Sequence, residues 1–76
     1  MTTSRLTREQ QRAKTREDLL QAAAEVFARH GYHATSVDMV AEAAGYTKGA
    51  VYSNFSSKEE LFLALLEERR EQTMAD

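Results

Sequence analysis

Residues 36–55 read SVDMVAEAAGYTKGAVYSNF, and the fold turns on them. Val37, Val40, Ala41 and Ala44 recur at i, i+3, i+4 and i+7, which places them on one face of a helix. Thr35 or Ser36 can supply the hydroxyl that caps its first turn, and Gly45 stops it. Only Gly45, Tyr46 and Thr47 separate that stop from a second start, where Thr47 caps a helix running from Lys48 to about Asn54. Val51 and Phe55, four apart, face inward, leaving Lys48, Tyr52 and Ser53 outward. Asn54 either joins that outward set or turns into the helix end. Two short helices joined by a three-residue turn containing Gly form the outline of a helix-turn-helix, predicted over about 36–55.

Working outward, a long first helix precedes the pair. Thr7 followed by Gln10 has the form of a capping box. Leu19, Leu20, Ala23, Ala24 and Phe27 repeat at helical spacing, and Gly31 is expected to end the helix in the left-handed conformation. Arg29 and His30 occupy its last turn, where positive charge suits the helix dipole. After the pair, Ser57 and Glu60 have the form of a second capping box, opening a fourth helix to about Met74 with Leu61, Phe62, Leu65 and Leu66 as its apolar stripe. The fold expected is all-α: a three-helix, homeodomain-like bundle over residues 7–56, then the start of a fourth, linking helix over 57–76. Its core is predicted from Leu20, Ala23, Phe27, Val37, Val40, Ala41, Val51 and Phe55.

Composition agrees and excludes much. Proline is absent, Gly numbers 3, and Ala and Glu are abundant, all of which favour helix. With 76 residues there is room for one small domain, of the size that depends on regular helix packing when no disulfide or metal supports it. There is no Cys, so disulfides, thiolate metal sites and Cys nucleophiles are excluded. His30 and His33 are separated by Gly31 and lack further ligands, so no metal is expected. The apolar run Leu61 to Leu66 is too short to span a bilayer, and the first twelve residues have no apolar core. No membrane partner and a cytoplasmic location are therefore expected. No nucleophile–base pair or phosphate loop is present, so no enzyme and no cofactor are expected.

The net charge of −2 conceals an uneven distribution. Residues 1–16 carry five cations against Glu9 alone, a local +4, and residues 17–76 carry five cations against eleven acids, a local −6. Residues 1–6 are expected to be a flexible basic arm. A basic arm on a helix-turn-helix points to nucleic acid, because local positive charge, not the sum, meets phosphate. The second helix of such a unit enters the DNA major groove with its N-terminal residues nearest the base edges. Thr47 and Lys48 can donate there, Gly49 and Ala50 let the backbone come close, and Tyr52 adds a hydroxyl on a rigid ring. Gly49 costs a helix about 1 kcal/mol relative to Ala, consistent with a need for close approach. Asp38 and Glu42 would oppose phosphate if they faced DNA, and are expected to lie sideways or to pair with a cation.

Phe27–Tyr32, Ala34–Ala41 and, above all, Ala44–Leu61 resemble TetR-type regulators, and the resemblance runs from about Arg16 to Leu66. It implies a DNA-binding head whose fourth helix leads to a C-terminal ligand-binding and dimerising domain beyond these residues. It implies a homodimer that reads a palindromic operator, and a repressor released by a small-molecule effector. Position by position, Thr47, Lys48, Gly49 and Ala50 match the family's base- and backbone-contacting turn, Tyr52 its phosphate-contacting tyrosine, and Lys58 a phosphate-contacting lysine. Ser36 and Val37 match the start of the second helix, which faces the DNA backbone. The chain departs from many members at Ser53 and Asn54, where they carry an aromatic and a His. Asn54 can pair with adenine if it reaches the groove. The rival reading from the residues is a small helical protein-interaction module without DNA binding, docking a partner on the apolar stripe of the fourth helix.

Overall fold

The computed structural model describes residues 7–75, with side chains for residues 7–68; the arm expected over 1–6 lies outside the described residues. Among the described residues four helices follow one another: α1 (Arg8–His30), α2 (Val37–Ala44), α3 (Lys48–Asn54) and α4 (Lys58–Ala75). No strand occurs among the described residues. Each helix starts on a hydroxyl. Thr7 accepts from the Gln10 N–H at 3.0 Å while the Gln10 side chain accepts from the Thr7 N–H at 2.9 Å, so the first capping box is complete. Ser36, not Thr35, caps α2, its Oγ accepting from the Met39 N–H at 3.1 Å. Thr47 caps α3 and Ser57 caps α4, each accepting at 3.1 Å from the N–H three residues on.

The second capping box forms only by half. The Glu60 carboxylate accepts from the N–H of Ser56 at 3.1 Å and from its hydroxyl at 2.7 Å, one residue earlier than the expected partner Ser57. These bonds, the hydroxyl's first, hold the Glu60 carboxyl below the usual carboxylate range. The stops also differ in kind. At Gly45, φ 79° and ψ 25° are left-handed, its N–H donates to the Glu42 carbonyl, and the Tyr46 N–H reaches the Ala41 carbonyl at 2.9 Å. That pair of bonds is a Schellman motif, and it makes the tight turn. Gly31 ends α1 at φ 86° but ψ 165°, an extended positive-φ conformation instead of the expected left-handed one. Glycine is still required there, because side chains exclude that region.

All eight residues expected in the core are buried, joined by Leu19, Ala22, Val26, Leu61 and Leu65. Leu61 comes from α4, Val51 and Phe55 from the α3 end, and Val37, Val40 and Ala41 from α2, so all four helices share one apolar centre. Phe27 and Tyr32 stack at 5.7 Å, and Phe62 meets both edge-on at 5.0 Å, sealing one end where α1 and α4 pack. Leu66, placed on the α4 stripe by its spacing, is instead 46% exposed and borders a shallow apolar groove with Ala24, Phe27 and Phe62. None of the described helices is long and apolar enough to cross a membrane.

Candidate nucleic-acid interface

The turn between α2 and α3 is held from behind. The Tyr46 hydroxyl donates to Asp18 Oδ2 on α1 at 2.8 Å, and Lys14 Nζ donates to the same oxygen at 2.9 Å. Lys14 first, then Tyr46, hold the Asp18 carboxyl below its usual range, and Asp18 in turn raises Lys14. Sequence reading missed this tether. Asp18 and Tyr46 lie 28 positions apart, and no local pattern links them. At the far end of α3, Phe55 is buried and the Arg16 guanidinium lies 4.9 Å from the centroid of its ring.

With both ends so fixed, α3 presents the face opposite Val51 and Phe55. Thr47, Lys48, Gly49, Tyr52 and Ser53 are exposed, and Ala50 and Asn54 are half-buried. A Cβ built on Gly49 would meet nothing nearer than Thr47 Oγ1 at 3.8 Å. Nothing among the described residues therefore demands glycine at this position, and among them the space above it is open to a ligand surface. Tyr52 is 47% exposed, a large ring on the outer side of a short helix. Lys48 stands 3.6 Å from Asp38 of α2, with both side chains more than half in solvent. Such an exposed pair is worth about 0–1 kcal/mol and yields readily to a phosphate. It also answers the question of Asp38: this acid lies beside the one cation of α3.

The C-terminal half of α3 is turned on itself. Ser53 Oγ donates to the Ala50 carbonyl at 3.1 Å, and Asn54 Nδ2 donates to the same oxygen at 2.9 Å. Asn54 thus turns into the helix end, with one of its two amide hydrogens given to the Ala50 carbonyl. Ser36 is exposed at the N-terminus of α2 with its oxygen capping Met39. Val37 is a core residue, 7% exposed, so it offers the outside its backbone N–H and not its side chain. Lys58 is half-buried, and its ammonium donates to the carbonyls of Tyr32 and Thr35. Thr47, Lys48, Gly49 and Tyr52 are therefore brought together on one open surface, with Ser36 at the start of the neighbouring helix. Val37, Asn54 and Lys58 are tied inward. No group of three or more His, Cys, Asp or Glu able to hold a metal occurs among the described residues.

A braced helix with a small, polar first turn, set against a second helix through a glycine turn, defines a helix-turn-helix domain. The profile described as "Bacterial regulatory proteins, tetR family" matches residues 19–65, and the chain belongs to that family. It is 50% identical over 56 residues to the HTH-type transcriptional activator FasR of Mycolicibacterium smegmatis, covering 74% of this chain and 26% of the relative. It is 43% identical over 54 residues to the HTH-type transcriptional repressor AcnR of Corynebacterium efficiens, covering 71% of this chain and 29% of that one. Among solved structures, the fatty acid degradation regulator FadR from Bacillus halodurans superposes with a TM-score of 0.77 at 28% identity, over 95% of this chain and 35% of that one. The chain thus spans between a quarter and a third of the length of these two curated relatives.

Proposed function

We propose that the chain is the DNA-reading head of a transcriptional regulator and binds double-stranded DNA sequence-specifically through α3 and the start of α2. The observation that carries this is the open first turn of α3, where Thr47, Lys48 and Gly49 are exposed while Val51 and Phe55 anchor the helix to the core. Thr47 and Lys48 donate to base edges or phosphate, Gly49 and Ala50 admit the DNA backbone, and Tyr52 donates its hydroxyl to phosphate. Ser36 and the N–H of Val37, at the positive end of α2, face the flanking phosphates. Ser53 lies at the rim of this surface and Asn54 at its inner edge, where its carbonyl oxygen remains an acceptor. Base reading concentrates in the first turn of α3.

The relatives extend well beyond this chain's length, and the resemblance supplies the rest of the proposal. Two such heads, related by two-fold symmetry in a homodimer, read a palindromic operator with half-sites spaced by the helical repeat. A small-molecule effector bound in a C-terminal domain releases the DNA, and repression is the sense proposed. Such a regulator works in the bacterial cytoplasm, on the nucleoid.

The test is selection from a random duplex pool at low and moderate salt. Enrichment of a palindrome, bound in a salt-sensitive way and lost by Lys48→Ala, is the expected result. No binding to a long duplex even at low salt would leave the chain as a helical interaction module.

A further inference from the structure

Tyr46 occupies the middle of the three-residue turn and ties three helices together. Its N–H donates to the Ala41 carbonyl at 2.9 Å, which completes the stop of α2. The residue after it, Thr47, caps α3 by accepting from the Ala50 N–H at 3.1 Å. Its hydroxyl donates to Asp18 Oδ2 on α1 at 2.8 Å. That acceptor is firmly mounted. Asp18 is followed by Leu19 and Leu20, 0% and 3% exposed, so it sits on the stretch of α1 that is locked into the core. Lys14 Nζ, 2.9 Å from the same oxygen, holds the carboxylate from one turn earlier. The bond from Tyr46 is partly sheltered and its acceptor is charged, which makes it stronger than a neutral one. Along α3 itself, Val51 and Phe55 are the buried anchors, whereas Thr47, Lys48 and Gly49 are exposed. The start of the helix proposed to read bases therefore takes its place from the residue just before its cap.

We propose that Asp18 and Tyr46 are positioning residues for base reading: the bond between them sets the depth and angle from which the first turn of α3 reaches base edges. This rests on the DNA-binding reading above. Neither residue needs to touch DNA. Hydrogen bonds to base edges weaken steeply with distance and angle, whereas attraction to phosphate is long-ranged. Loss of the bond is therefore felt as lost specificity more than as lost general affinity. The Asp18 carboxylate by itself repels phosphate, so its positioning effect and its charge effect on binding have opposite signs.

Tyr46→Phe, which keeps the ring and removes only the hydroxyl, is tested beside Asp18→Ala and the double variant. Full chains are titrated over a salt series with the duplex selected by the wild type and with a scrambled duplex of equal length, at a temperature where thermal unfolding shows all of them folded. Each single variant should bind the selected duplex roughly three- to tenfold more weakly, the scale of one net hydrogen bond, with the salt slope unchanged. Affinity for the scrambled duplex should not fall, and the double variant should be no weaker than the weaker single one, because both changes remove one interaction. A gain in affinity for the selected duplex in Asp18→Ala would show that its charge acts and its bond does not, and would overturn the proposal. So would additive losses, equal losses on both duplexes, or an unchanged affinity with a lower Tm. If Asp18→Ala does not fold, Tyr46→Phe is read alone by the same duplex comparison. Amide exchange separates this proposal from the DNA-binding reading. Should the wild type bind no duplex, faster exchange of the Ala50 N–H in Tyr46→Phe would still support control of the α3 start by this bond, and unchanged exchange would overturn it.

Discussion

The first turns of α3 and α4 are made of the same parts and used in opposite ways. Each begins with a hydroxyl cap that accepts at 3.1 Å from the N–H three residues on, and each follows that cap directly with a lysine. In α3 the lysine stands outward beside Asp38, and the next residue is Gly49 with open space above it. In α4 the lysine turns inward onto two carbonyls and a ring, and Leu61 behind it is fully buried. A cap and a cation thus fix how a helix begins, but not whether its first turn reads or braces. That is settled by what the rest of the chain brings against it.

Five substitutions would break or sharpen this contrast. The largest effect is expected from Leu61→Ala, which opens a cavity under the first turn of α4 and should cost about 2–5 kcal/mol in urea unfolding. A loss below about 1 kcal/mol would mean that this turn is not part of the common core. Removing the caps comes next. Thr47→Ala and Ser57→Ala should each cost about 1 kcal/mol of stability. Only Thr47→Ala should also weaken DNA binding measured under fully folding conditions. Equal losses of binding in both variants would erase the distinction.

Gly49→Ala should leave the fold intact and raise stability by up to about 1 kcal/mol, because the added methyl meets open space and helix propensity improves. Affinity for DNA should fall, since that methyl occupies the surface where the backbone of DNA is to approach. A variant that is more stable and binds equally well would show that nothing comes close at this position. The smallest effect concerns Glu60. Its carboxyl titrates below the usual range when folded, first through the Ser56 hydroxyl and then through the Ser56 N–H. The stabilisation is therefore fully present above the ordinary carboxylate pKa and is lost as pH falls through the lowered folded value. Glu60→Gln should flatten the acid side of the stability profile, and an unchanged profile would remove Glu60 from the account.

What could be read from the sequence follows the reach of each interaction. Helix ends were legible because caps, glycine stops and apolar spacing act within a few residues of one another, as at Thr7, Thr47 and Gly45. The core was legible for the same reason, through the repeats at Leu20, Val37 and Val51. Within the proposed interface, the exposure of Lys48, Gly49 and Tyr52 followed from the inward spacing of Val51 and Phe55. Three features were not legible. Lys58 finds its acceptors 23 and 26 positions away, and Tyr46 finds Asp18 28 positions away, so no window of sequence contains both partners. Ser53 and Asn54 are local, but short polar side chains near a helix end choose between solvent and their own backbone, and only the structure shows that both choose the Ala50 carbonyl.

The tether from Tyr46 to Asp18 bears on how portable the reading unit is. Residues 36–55 look like a cassette, complete with caps and stops, that could be moved onto another scaffold. Yet the hydroxyl at the middle of the turn is satisfied by a carboxylate from α1, and the ring that closes α3 lies under an arginine from the same helix. A graft that carried only the cassette would leave its Tyr46 hydroxyl without its acceptor and its Phe55 uncovered. The smallest transplantable piece therefore begins before Lys14, and an engineer exchanging specificities between relatives would move α1 together with the helices it supports.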